Sequence, residues 1–98
     1  MAAWRWYLTI AAVRQYMVLA GLSGELEDDN PDFLAAQNAL GELSLTAKPA
    51  RTAETESGAV IYRGKVTIAG KRRRIECTVM PIPRTEGKLP QLLRVTLK

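Results

Sequence analysis

Apolar residues recur at helical spacing in the first half of the chain and at strand spacing in the second. Ile10, Val13, Met17 and Ala20 follow intervals of three and four, which predicts a helix over Ile10–Ala20 burying that stripe and leaving Arg14 and Gln15 off it. Thr9 supplies a capping hydroxyl at its start, and Gly21 a stop. A second helix is expected from Pro31 to about Ser44. Asn30 is a good N-cap, Pro31 suits the first helical position, and Asp32 complements the positive end of the helix dipole. This helix should bury Phe33 or Leu34, Ala36, Leu40 and Leu43. Ahead of both, Trp4, Arg5, Trp6 and Tyr7 fit either an extra helical turn or a short strand, with the two tryptophans read as core anchors or a lid over the core edge.

After Gly58 the period changes from about 3.6 residues to 2. Val60, Tyr62, Val66 and Ile68 alternate with Ile61, Arg63, Lys65 and Thr67; Ile75, Cys77 and Val79 alternate with Arg74, Glu76 and Thr78. A third run sets Leu93, Val95 and Leu97 against Arg94, Thr96 and Lys98. If the first two strands form an antiparallel hairpin around Ala69-Gly70, Val60 opposes Val79, Tyr62 opposes Cys77 and Gly64 opposes Ile75 on one face. On the other face Arg63 opposes Glu76, Lys65 opposes Arg74 and Thr67 opposes Arg72. A slip of one residue would set apolar side chains against charged ones, so the pattern itself selects this register. Pro81, Pro83, Gly87 and Pro90 confine 81–90 to a loop.

These elements predict an α+β fold, with two N-terminal helices packed on a three-stranded antiparallel β-meander in a single domain, 1–98. Its parts are a helical, acidic stretch over about 1–47, a linker over about 48–58 marked by Pro49 and Gly58, and a basic sheet over 59–98. The loop over 23–32 is acidic, but Glu25, Glu27, Asp28 and Asp29 do not match the spacing of a calcium-binding EF-hand loop and read as a solvated connector, so no metal site is expected.

Composition narrows the chemistry. The 98 residues, 47% of them apolar, suffice for a real core. The chain has no histidine, which removes imidazole bases, Ser-His and Cys-His pairs and histidine metal sites; the single cysteine, Cys77, makes neither an internal disulfide nor a cysteine-rich zinc site. No cofactor is implied. Arg14 and Gln15 interrupt the apolar stretch from Trp4 to Leu22, and a charge at the centre of a membrane span costs about 3 kcal/mol. The expectation is a soluble, cytoplasmic protein with no membrane partner.

The net charge of +4 conceals a division. Residues 1–58 carry four basic side chains against eight acidic ones, whereas 59–98 carry ten against Glu76 and Glu86 alone. On the hairpin register, Arg63, Lys65, Arg72, Arg74, Arg94 and Lys98 share the polar face of the sheet with Glu76 as the sole acid. Directly opposed cations weaken a sheet, and phosphate backbones are the anions that arginine matches best. RNA or DNA is therefore the expected ligand of this face. An acidic protein partner, or self-assembly without enzymatic activity, is the alternative. Glu76 is the candidate general base on the face, against its ordinary role as a cross-strand ion pair with Arg63. Tyr62 and Cys77 fall on the apolar face as core residues.

The order helix, helix, strand meander, with a hairpin reading Gly-Ala-Val-Ile-Tyr-Arg-Gly-Lys-Val from Gly58 to Val66, resembles the compact RelE, ParE and BrnT family of bacterial toxins. The segment Leu8-Thr9-Ile10-Ala11-Ala12-Val13-Arg14 is similar to the first helix of that superfamily's smaller members. The resemblance implies an RNA or gyrase target, a cognate antitoxin as partner and, in members that cleave RNA, basic residues on the sheet face. With no histidine to serve as general acid, robust turnover is not expected of this chain.

Overall fold

The computed structural model describes residues 4–27, 29–52, 58–81 and 89–98. Along the chain lie β1 (Tyr7–Leu8), α1 (Ile10–Ala20), α2 (Pro31–Thr46), β2 (Lys48–Thr52), β3 (Val60–Ile68), β4 (Lys71–Met80) and β5 (Gln91–Leu97). The five strands form one sheet in the order β1-β5-β4-β3-β2. β1 runs parallel to β5 and the remaining pairs are antiparallel. The fold is α+β as expected, but the three-stranded antiparallel meander is not what forms. Two further strands extend it, and one of them makes the sheet mixed.

Both helices start where their caps predict. Thr9 Oγ1 accepts from Ala12 N, Gly21 closes α1 in the left-handed region at φ 72°, and Asn30 Oδ1 accepts from Asp32 N ahead of Pro31. The Asn30 amide also donates to the Ser23 and Glu25 carbonyls at 3.2 and 2.7 Å, so the acidic loop folds around this cap. Asp28, part of the metal reading of that loop, lies outside the described residues.

In α2 the buried residue of the first turn is Phe33, not Leu34, followed by Ala36, Leu40, Gly41 and Leu43. In α1 the buried set is Ala12, Val13, Tyr16 and Met17, while Ile10 is 65% exposed. Spacing alone leaves the rotation of a helix about its axis open; here contacts to β5 fix it. Thr9 Oγ1 donates to Leu92 O at 2.6 Å and Gln15 Oε1 accepts from Val95 N at 2.9 Å, which turns Gln15 toward the sheet and Ile10 away from it.

The β3–β4 hairpin has the register the pattern selects, Val60 opposite Val79 through Thr67 opposite Arg72. β5 pairs with β4 as expected, but the register shifts between Thr78 and Val79, so Leu92 takes the core position opposite Val79 and Leu93 is only half-buried. A bulge inserts one residue and breaks strict alternation, so the alternating pattern by itself puts Leu93 inward where the structure puts Leu92.

The two strands that the pattern did not foresee carry no alternation to read. β2, drawn from the expected linker, is exposed at all five positions, and Pro49 is tolerated because the strand forms the sheet edge. β1 is two residues long and follows the backbone bond from Tyr7 N to Pro90 O, at 2.8 Å. Residues 53–57 of the expected linker and 82–88 of the expected loop lie outside the described residues.

The core lies between the helices and one face of the sheet, with Leu40, Ile75 and Leu92 fully buried. Each such side chain contributes about 1.5–3 kcal/mol of transfer free energy. Trp6 is 3% exposed and meets Tyr62 edge-on with ring centroids 5.3 Å apart, and the Trp4 indole covers Gly41, where a β-carbon would overlap it. Both tryptophans therefore serve the core and its rim.

The hairpin turn uses Ala69 at φ 51° and Gly70 at φ 79°. Left-handed backbone suits glycine and asparagine but strains alanine. Ala69→Asn is expected to stabilise the protein by about 0.5–1 kcal/mol, read as a raised chemical-denaturation midpoint with unchanged slope.

Candidate nucleic-acid interface

The outer face of the sheet is set by the same register that builds the core. Arg63 and Lys65 on β3 stand opposite Glu76 and Arg74 on β4, and Arg72 stands opposite Thr67. Thr96 opposes Glu76 and Arg94 opposes Thr78, which puts Arg94 on this face, and the Lys98 ammonium reaches Glu76 across it. All six basic residues expected there are on it.

They do not form one cluster. Arg63, Lys65, Arg74 and Lys98 surround a shallow depression of about 310 Å³ floored by Gly64 and Ile75. Arg72 lies toward the hairpin turn, its guanidinium 3.4 Å from Thr67 Oγ1, and Arg94 lies toward the opposite end of the sheet.

Two cations of this face were missed by sequence reasoning. Lys48 stands opposite Arg63 and Arg51 opposite Ile61, so β2 adds both to the same surface. Their segment shows no apolar alternation and contains a proline, so no sequence signal identified it as a strand. The face thus carries eight basic positions drawn from β2, β3, β4 and the C-terminal strand, with Glu76 as the only acidic residue among its described positions.

Glu76 is the hub of the face. Its Oε2 accepts from Arg63 Nε at 2.8 Å and from Lys98 Nζ at 3.3 Å, and its Oε1 lies 3.6 Å from the Arg51 guanidinium. The expected ion pair with Arg63 is therefore present, and two further strands are tied to the same carboxylate. The hydrogen bond from Arg63, with that from Lys98 behind it, holds the Glu76 carboxyl below its ordinary range despite some burial. A carboxylate held this way is a poor base, which counts against the catalytic role considered for it.

Lys65 and Arg74 oppose each other directly with no acid between them. Such a pair destabilises the sheet by a few tenths of a kcal/mol or more, roughly, and leaves positive charge available to an anion.

On the other face Cys77 is fully buried, and burial pushes its thiol up to about 12, the charge of Glu76 adding to the effect. Tyr62 is half-buried against Trp6. Both occupy the core positions expected of them. Among the described residues no three Cys, Asp or Glu side chains converge on a possible metal position, and no helix is long and apolar enough to cross a membrane.

Comparison with protein-family models, with curated proteins and with solved structures finds no match to this chain.

Two outcomes are expected. Glu76 has a lowered folded-state pKa, so its stabilising effect is complete above the ordinary carboxyl range and is lost as the pH falls through the depressed value. Glu76→Gln should accordingly lower stability at neutral pH by about 1 kcal/mol, a small figure because its partners are half-exposed. The difference from wild type should vanish in strong acid; a constant difference across the pH series of melts would contradict the hub. Cys77 should stay unmodified by thiol reagents in the native protein and react only on unfolding, as followed by mass spectrometry.

Proposed function

We propose that this protein binds nucleic acid, RNA or DNA, through the outer face of its sheet, gripping phosphates rather than bases. The observation that carries the reading is the convergence of eight cationic positions from β2, β3, β4 and the C-terminal strand and its end on one face, with one carboxylate in opposition among the described residues. A purely structural surface gains nothing from setting Lys65 against Arg74, whereas a polyanion turns that repulsion into attraction and releases its condensed counterions. Arginines dominate the face, and their planar guanidinium groups match phosphate oxygens two at a time. Glu76 has a place in this reading as an organiser. It spaces Arg51, Arg63 and Lys98 without neutralising the whole surface.

Trp6 and Tyr62 pack against each other at the core, and Tyr7, the exposed aromatic among the described residues, stands singly on β1 at the lateral edge of the sheet, away from the cations of β2, β3 and β4. Base stacking is thus not part of the reading, and sequence preference should be weak. Catalysis is not part of it either. Arginines supply charge stabilisation, but the chain offers no ordinary general acid near neutrality.

The test is binding of a short labelled oligonucleotide across a salt series. With about four phosphates neutralised, log affinity should fall against log salt with a slope near −3 to −4, and Arg74→Ala should flatten it by about one. Glu76→Gln should tighten binding while it weakens the fold, a divergence that a merely structural glutamate would not produce. Absence of binding at low salt would overturn the proposal.

A further inference from the structure

The two lateral edges of the sheet are finished differently. On one side β1 covers Gln91 and Leu92 of β5, and farther along the Val95 amide is taken by the Gln15 side chain. On the other side β2 pairs with β3 only from Val60 to Arg63, because the chain before Lys48 turns up into α2 through the bond from Ala47 N to Leu43 O. Among the described residues no strand pairs with this side of β3 over positions 64–68, although β4 continues alongside it to Lys71. The open edge is five residues, about 16 Å of extended chain.

This edge borders a groove. A cavity of about 750 Å³ lies between it and the C-terminal half of α2, with Tyr16, Leu43 and Val66 at its base and Lys48, Lys65 and Arg72 among its lining. Gly64 admits the helix here, since the Leu43 side chain occupies the space a β-carbon would need. The groove therefore combines an unpaired backbone, an apolar floor and a cationic margin. Glu42 is the only acid among its lining residues.

We infer that this edge takes up an extended acidic segment of a partner protein as an added strand. A strand laid along 64–68 would hydrogen-bond to the β3 backbone, and its side chains would alternate between the two faces of the sheet. Those on the helix side meet the floor formed at Gly64 and Val66 with Leu43 and Tyr16, which calls for apolar residues there, while Arg73 and Lys71 stand on the same side toward the hairpin turn. Those on the outer side stand next to Lys65 and Thr67 with Arg63 and Arg72 nearby, which calls for carboxylates. The chemistry recognised is thus an alternation of apolar and acidic residues. A second copy of this chain does not fit, because pairing two such edges would bring the same lysines and arginines together. The inference is independent of the nucleic-acid reading, but Arg63, Lys65 and Arg72 belong to both surfaces, so the segment would compete with a polyanion for them.

The experiment uses the full chain and three peptides of about seven residues, the length of an ordinary strand. One alternates valine and glutamate, one has the same sequence with every second backbone amide N-methylated, and one carries the same charge on glutamates separated by glycine. The alternating peptide should bind at least about tenfold more tightly than either control, since methylation removes the ladder and glycine removes the apolar contacts. Hydrogen exchange should show new protection of amides within 64–68, and Lys65→Glu should weaken binding by about tenfold. Equal binding of the parent and N-methylated peptides, protection elsewhere in the sheet, or no binding at low salt would overturn the inference. None of these outcomes bears on the oligonucleotide assay, so the two readings fail separately.

Discussion

Nine consecutive residues of β3 paired with β4 in a single register decide what every neighbouring element does. Because side chains alternate along a strand, this pairing sends Ile75, Cys77 and Val79 under the helices and Arg63, Lys65, Arg72 and Arg74 to the outside in one step. A shift by one residue would bury four or more cations and expose the core. The apolar face and the basic face are thus one constraint seen from two sides, and the burial of the first offsets the repulsion accumulated on the second.

That repulsion is managed locally. Glu76 stands in the middle strand, where a single carboxylate reaches β2, β3 and the end of the chain together. The arrangement links strands that are not adjacent, and among the described residues no acid pairs with Lys65 or Arg74 at the rim of the shallow depression. The surface is consequently both held in place and strongly positive.

The edges complete the design. Natural sheets manage unpaired edges with prolines, bulges, charges or covering elements. β2 is an exposed edge with Pro49 and a register shift, and Gln15 caps part of β5. Positions 64–68 of β3 carry charge but, among the described residues, no paired strand, and they run beside a groove with Leu43 and Val66 at its base. The basic face and the open edge therefore meet along one strand.

How much of this the sequence contained depends on what each feature rests on. Helix limits were legible at Thr9, Gly21, Asn30 and Pro31 because caps act on the nearest backbone groups. The hairpin register was legible because alternation in two adjacent strands admits one consistent match, and with it came the six basic residues of the outer face and the ion pair of Arg63 with Glu76. What depended on partners far along the chain was not legible. β1 exists because Tyr7 and Leu8 meet Gln91 and Leu92, and β2 because Lys48–Thr52 meets β3; neither segment has a pattern of its own. The bulge that moves Leu92 inward, the rotation that exposes Ile10, and the entry of Lys48 and Arg51 into the basic face all follow from those long-range pairings. Local sequence determined the caps, the periods and the sign of the surface, since these arise from neighbouring residues; only the tertiary structure decided which strands complete the sheet and which edge stays open, because backbone hydrogen bonds between distant segments carry no side-chain signature.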